Sequence, residues 1–139
     1  MVHALEEIRR ILIPGGVMID LRPLADRWPV EVISDRTHHE LGRLTDLPAG
    51  LADDEAANNA IKESARRGWF VLESELNFPF FYYWDTPEEM QEHIHEKWGD
   101  FMQMADQVYS ETQKAWATAG ADRRVRVQAK MLLTRWRKR

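Results

Sequence analysis

Apolar and polar side chains alternate with a period of two between residues 69 and 86, which predicts a long β-strand. One face of this strand is apolar from Phe70 onward, and the other face carries Glu73 and Glu75. Because Pro79 has no backbone N–H to donate, we expect the strand to lie at the edge of a sheet or to break at that residue. We expect the rest of the chain to pack around this strand.

Apolar residues that recur at steps of three and four predict three helices. These helices cover residues 3–12, 53–67 and 86–117. The second is expected to follow a loop at residues 48–50, to begin with Asp53 as its N-cap and to end at Gly68. The third begins at Thr86 and is long for a chain of this size, with a kink or break at residues 99–100 as the alternative.

Shorter runs of apolar residues predict four further strands. These strands cover residues 17–21, 30–34, 39–45 and 124–138. The middle two are expected to form a hairpin that turns near Asp35. In the last strand, the predicted apolar face consists of Val125, Val127, Ala129, Met131 and Leu133. The basic face over residues 124–130 is expected to meet Glu73 and Glu75 of the long strand.

Together these elements predict an α+β fold with a small mixed sheet, which ends in an antiparallel strand pair and packs with three helices, one of them long. We expect a single domain over residues 1–139, because that length suits one core and no linker divides it. The fold would be a partial version of a Rossmann-like sheet.

Composition narrows the classes of function. The chain has no cysteine, which removes thiol chemistry and suits the cytoplasm. No apolar run is long enough for a membrane span, and the first residues do not read as a secretory signal. Eight of the 19 basic residues lie between Arg123 and Arg139, on a chain whose net charge is −4. We interpret this basic end as a complement to the acidic body, so nucleic acid is not an expected partner.

Residues 4–23 carry the most specific motif. A helix with the pattern E-x-x-R-x-L, from Glu7 to Leu12, leads into Pro14-Gly15-Gly16 and then into the strand at 17–21. This segment resembles the part of class I S-adenosylmethionine-dependent methyltransferases that precedes and forms the fifth strand of their sheet. The family also closes with an antiparallel strand pair, which residues 130–133 and the basic end resemble, and residues 51–84 resemble one branch of it.

The resemblance covers only the carboxyl half of that family. The methyltransferases bind their cofactor with a glycine-rich turn after the first strand, where glycine lets the backbone approach the ligand. None of the seven glycines in this chain follows a strand in a G-x-G arrangement. The resemblance therefore implies no cofactor-binding residue here, and S-adenosylmethionine would bind only if a separate cofactor-binding chain supplied the missing half.

Four groups of residues are candidates for chemistry. Asp20 and Arg22 end a strand, where ligands collect in open α/β sheets, or they form a turn pair. His38, His39 and Glu40 suggest a base near a substrate, or a surface pair of histidines. The aromatic residues Phe80, Tyr82 and Trp84 would form the floor of an apolar substrate pocket, or they belong to the core. A metal is not expected at the histidines and glutamates of the third helix, which are Glu89, His93, His95 and Glu96, because His95 points away from His93.

Three functional hypotheses follow. The first is a methyltransferase-like domain that lacks its own cofactor site and is not catalytic alone. It would act as an interaction module and form a homodimer through an unpaired strand edge or an uncovered apolar face. The second is the substrate-side half of a split methyltransferase. The third is a binder of small apolar ligands that uses the aromatic cluster.

Overall fold

The computed structural model describes residues 2–139. Within them the chain forms four α-helices and seven β-strands. The helices are α1 (Val2–Ile11), α2 (Pro48–Arg66), α3 (Pro87–His93) and α4 (Asp106–Thr118). The strands are β1 (Val17–Leu24), β2 (Pro29–Ile33), β3 (His38–Arg43), β4 (Thr45–Asp46), β5 (Phe70–Trp84), β6 (Met102–Gln103) and β7 (Arg124–Lys138). The α+β class predicted from the sequence is confirmed.

Strand β7 is the centre of the main sheet. The strand order is β1-β7-β2-β3, and β5 also pairs with β7. Strand β2 is antiparallel to both β3 and β7, so the predicted hairpin is confirmed, and a small second sheet joins β4 to β6. The β2–β3 register shifts between Val30 and Glu31. Gly42, the partner of Val30, has a φ of 153°, and a Cβ there would lie 2.7 Å from the Val108 side chain.

Contacts along the chain define two compact units. The first unit contains the residues up to Leu24, residues 52–78 and residues 131–139, and the second contains residues 25–51 and 79–130. The core of the first unit consists of Leu5, Met18, Ala60, Trp69, Phe70 and Trp136. Helices α1 and α2 contribute Leu5 and Ala60 to it, and the Lys138 amine donates to the Arg9 and Leu12 carbonyl oxygens (2.6 Å each) at the end of α1.

The predicted role of the long strand β5 was wrong. Its edge position, which Pro79 indicated, is confirmed, because β5 pairs only with β7 among the strands of residues 2–139. An edge strand is covered on fewer sides, so most of its side chains are exposed and only Phe70 is fully buried. Strands β2 and β7 instead contribute residues with no exposed surface, which include Val30, Val32, Val125 and Val127.

The predicted face of β7 is correct only over its first half. Val125, Val127 and Ala129 are buried as expected, but the next buried positions are Leu132, Thr134 and Trp136 rather than Met131 and Leu133. A single extra residue between Ala129 and Leu132 reverses which side chains face the core, because side chains alternate along a strand. The change of phase falls between Lys130 and Met131, where the chain passes from the second unit to the first.

The long helix predicted over residues 86–117 is two helices. Helix α3 begins as expected: the Thr86 hydroxyl accepts from the Glu89 N–H (3.2 Å). A π-helical segment, Ile94–Trp98, continues α3 and ends at Gly99, which is the site of the break that the sequence offered as the alternative. Helix α2 begins at Pro48 rather than at Asp53, so the predicted loop at residues 48–50 is its first turn.

Glu63 near the end of α2 supplies a pH-dependent contribution to stability. Hydrogen bonds from Arg66 and Arg67 lower its pKa from the usual 4.5 to about 2. A depressed carboxyl pKa stabilises the fold above about pH 4.5, and this stabilisation is lost as the pH falls towards 2. We expect Glu63→Gln to lower the melting temperature at pH 7 by only about 2 °C, because the pairs are exposed. Thermal unfolding of both proteins between pH 7 and pH 3 checks this: a difference that does not shrink in acid contradicts it.

Candidate functional site

The structure brings Asp20 and Arg22 together on β1. The Arg22 Nε donates to the Asp20 carboxylate (3.2 Å), and its Nη2 donates to the Asn58 side-chain oxygen on α2 (2.7 Å). Both charged side chains are mostly buried, with 16% of Arg22 and 22% of Asp20 exposed. The Arg22 Nη1 is also buried, and no group in residues 2–139 accepts a hydrogen bond from it. A buried guanidinium nitrogen with no acceptor is unusual, because such a group carries a desolvation penalty.

A cavity of about 240 Å³ lies beside this pair, between α1, β1 and α2 of the first unit. Leu5, Ile8, Met18 and Ala57 contribute to its apolar lining, and Asp20 and Arg22 are the charged residues that line it. The arrangement of an apolar cavity with few polar groups is typical of small-molecule sites. Sequence reasoning found the charged pair but missed the cavity, because α1 and α2 are distant along the chain.

The opposite face of β1 is apolar and open. Met18, Asp20 and Arg22 lie towards α1 and α2, so alternation places the Ile19 and Leu21 side chains on the other face, although Ile19 also borders the cavity. The exposed fractions of these two side chains are 55% and 56%. Two large exposed aliphatic residues on one strand form the beginning of an apolar patch.

Strand β7 extends this open face. The Lys138 N–H donates to the Gly16 carbonyl (2.8 Å) at the end of β7, so β1 lies antiparallel to β7. Counting residues from this contact places Leu21 near the half-buried Leu133. Beyond Leu133, Arg135 and Arg137 both form ion pairs with Glu73 of β5. The predicted partners of Glu73 on residues 124–130 were wrong, because the change of phase in β7 brings these later arginines onto its face.

His38 belongs to a charged cluster in the second unit that the sequence did not predict. Its Nε2 lies 2.6 Å from the Glu31 carboxylate, and the other oxygen of that carboxylate accepts from the Arg126 Nε. Glu31 is 4% exposed and Arg126 17% exposed, and the two are direct partners across β2 and β7. Both histidines are exposed, but alternation along β3 places their side chains on opposite faces, so His39 does not take part.

Aromatic side chains hold Arg126 from its other side. Its guanidinium lies 4.4 Å from the centre of the Phe81 ring, and its Nη1 donates to the Tyr83 hydroxyl (3.4 Å). Burial alone would lower the pKa of Arg126, but the bonds to Glu31 and Tyr83 outweigh it and raise the pKa above the usual value. Arg126 is therefore a fixed cation that neutralises a buried carboxylate.

The predicted aromatic residues of β5 pack against one another and against Trp98. Tyr82, Trp84 and His93 all lie against the buried Trp98, with ring centres 4.9, 6.0 and 5.0 Å from it. Phe80 packs edge-on against Tyr82 (5.0 Å) and is largely exposed. These contacts pack Tyr82 and Trp84, which are partly buried, against the buried Trp98, and the apolar substrate pocket stays a prediction.

His93 is one of these packed rings, with its ring centre 5.2 Å from that of Trp84. Within residues 2–139, no three His, Asp or Glu side chains converge as metal ligands would. In the same part of the chain, every helix is too short or too polar to cross a membrane. The groups that could bind a ligand or a partner are the Arg22 pair with its cavity, the open face of β1 and the Glu31 cluster.

Comparison of the chain with protein-family models, curated proteins and solved structures finds no match. The methyltransferase resemblance thus stays a feature of the sequence motif alone. The function has to be inferred from the geometry of the two faces of β1.

Proposed function

We propose that this chain is a methyltransferase-like domain without its own cofactor site, and that it acts as an interaction module which forms a homodimer through β1. The observation that carries the proposal is the pair Ile19 and Leu21, which are 55% and 56% exposed on a strand at the end of the sheet. Burying two such side chains contributes about 1.5–3 kcal/mol each.

The edge of β1 favours a second copy of the same chain as the occupant. Among the strands of residues 2–139, β1 pairs only with β7, so no strand covers its outer edge around Asp20. Antiparallel pairing of two β1 strands about Asp20 would place Ile19 of each copy beside Leu21 of the other. Such a contact is self-complementary, as a twofold interface requires.

The other long edge is less suited to pairing. Strand β5 contains Pro79, which cannot donate to a neighbouring strand, and it carries Glu73, Glu75 and Asn77 beside its exposed leucines. Proline and charged residues are the means by which natural sheets protect their edges. We therefore place the interface on β1 rather than on β5.

The order of elements supports the methyltransferase-like part of the proposal. Helix α1, the Pro14-Gly15-Gly16 turn, β1 and the closing strands β5 and β7 follow one another as the resemblance implies. A backbone cradle for a nucleotide-like cofactor needs a glycine-rich turn after a strand, and the sequence contains none. We infer that the chain transfers no methyl group on its own.

Leu21→Lys is expected to weaken dimerisation at least about tenfold, because it places a charge in the centre of the interface. Sedimentation equilibrium of the wild-type and variant chains measures this. Leu76→Lys is the matched control, since Leu76 is 55% exposed in the same unit but lies on β5. A wild-type chain that stays monomeric, or a Leu76→Lys effect as large as that of Leu21→Lys, would contradict the proposal.

The free edge of β1 also favours a second function. A separately encoded chain could continue the sheet at β1 and supply the cofactor half, which would make this chain the substrate-side half of a split methyltransferase. Co-purification with the product of a neighbouring reading frame that encodes a strand followed by a Gly-x-Gly turn, together with binding of S-adenosylmethionine by the pair, would favour this alternative over the homodimer.

A further inference from the structure

We propose that the cavity between α1, β1 and α2 binds a small apolar molecule that carries one neutral oxygen acceptor, and that the acceptor takes a hydrogen bond from Arg22. The proposal goes beyond the interaction module, because it concerns the cavity and its Arg22 rather than pairing at the edge of β1; Ile19 borders both. Leu21, which the dimerisation experiment changes, does not line the cavity.

The volume of the cavity sets the size of the ligand. About 240 Å³ corresponds to roughly eight water molecules at ~30 Å³ each. A single six-membered ring with one short substituent fits such a space. The lining is mainly aliphatic, with Leu5, Ile8, Met18 and Ala57 among its members, so the body of the ligand has to be apolar.

Arg22 determines which polar group the ligand has to carry. Two of its three nitrogens are already used, by Asp20 and by Asn58. The third, Nη1, is buried without an acceptor among residues 2–139, and a buried donor gains when it is given one. Arg22 lines the cavity, so under this proposal a ligand inside it provides the missing acceptor.

The charge balance of the pair selects a neutral acceptor. Asp20 already compensates the charge of Arg22 at 3.2 Å. A carboxylate ligand would add an unbalanced negative charge to a site of low polarity, and a charge buried without a partner is strongly unfavourable. A carbonyl or amide oxygen accepts the same hydrogen bond without that penalty, so amides, ketones and similar groups are the expected class.

Titration with three ring compounds of similar size tests this choice. Benzamide, benzoate and toluene are added separately to the full chain, and affinity is measured by calorimetry and by NMR shifts of the Met18 methyl group. We expect benzamide to bind about tenfold more tightly than either toluene or benzoate. Benzoate binding as tightly as benzamide, or no binding of benzamide, would overturn the proposal.

Two variants locate the binding. Arg22→Met should remove the preference for benzamide over toluene, and Ala57→Leu should weaken the binding of both by filling the cavity. Ala56→Leu is the matched control, because Ala56 is exposed on the neighbouring position of α2. If Arg22→Met does not fold, the comparison of Ala57→Leu with Ala56→Leu remains decisive: equal benzamide affinities in these two variants would exclude the cavity as the site. Loss of dimerisation by Leu21→Lys leaves benzamide affinity unchanged, so the two proposals fail separately.

Discussion

Replacing Arg126 with methionine is expected to lower the free energy of unfolding by about 3–5 kcal/mol, because it leaves the Glu31 carboxylate buried without its cation. Glu31 is only 4% exposed, and the sole other group within hydrogen-bond distance of it in residues 2–139 is the His38 ring at 2.6 Å. The loss is a large fraction of the 5–15 kcal/mol that is typical for a folded domain. Urea unfolding at pH 7 measures it.

The double variant Glu31→Leu/Arg126→Met is the control for this interpretation. Removing both charges avoids an unpaired buried ion, so the double variant should be more stable than Arg126→Met alone. If the double variant loses as much as the sum of the two single variants, the effect comes from packing and not from the ion pair.

Local signals predicted those parts of the fold in which a few neighbouring residues decide the backbone. Thr86, Pro87 and Glu89 define the start of α3, and Gly68 ends α2 with a φ of 71°. The Pro14-Gly15-Gly16 turn separates α1 from β1 for the same reason, since Gly15 also has a positive φ. In each case the conformation needs only residue types within one turn of chain.

The start of α2 shows where local signals failed. Asp53 is an acceptable N-cap, but the helix already begins at Pro48, and proline is equally acceptable in a first turn. The contacts that decide are distant ones: the Leu47 N–H donates to the Phe101 carbonyl (2.9 Å), and a Cβ on Gly50 would lie 2.7 Å from the same oxygen. No pattern within residues 48–53 contains that information.

The sequence of β7 does not indicate where the buried face of the strand changes sides. Met131, Leu132 and Leu133 are three apolar residues in a row, so the run fits either face equally well. Only the burial of Thr134 and Trp136 fixes the second half, and a buried threonine is not what alternation suggests. The consequence extends to the site, because the phase determines that Glu73 meets Arg135 and Arg137.

The candidate sites also divide into those that neighbouring residues define and those that distant pairing defines. Asp20 and Arg22 are two residues apart on one strand, so the sequence placed them together, but β1 continues to Leu24 and the pair does not lie at the strand end where it was predicted. The Glu31–Arg126 pair joins residues 95 positions apart through the register of β2 and β7, which the sequence did not define. The valines on both sides of Glu31 were the one available signal, since a glutamate inside a buried strand requires a partner.

Replacing Trp98 with alanine is expected to lower the free energy of unfolding by about 3–5 kcal/mol, the range for removing a large buried aromatic side chain. Trp98 is buried and lies within 5.3 Å of the Trp28 ring centre and 4.9 Å of the Tyr82 ring centre, both edge-on. It ends the π-helical segment that breaks the predicted long helix, so its loss removes the contact between that segment and β5 in the second unit. Urea unfolding followed by far-UV circular dichroism measures the change.

Phe80→Ala is the matched control for Trp98→Ala. Phe80 belongs to the same aromatic cluster and contacts Tyr82, but it is largely exposed, so its removal should lower the free energy of unfolding by less than about 1 kcal/mol. A large loss for Trp98→Ala with a small one for Phe80→Ala would assign the cluster to the core of the second unit. The reverse order would mean that the exposed end of the cluster is the part that matters, and the hypothesis of an apolar substrate pocket at Phe80, Tyr82 and Trp84 would gain support.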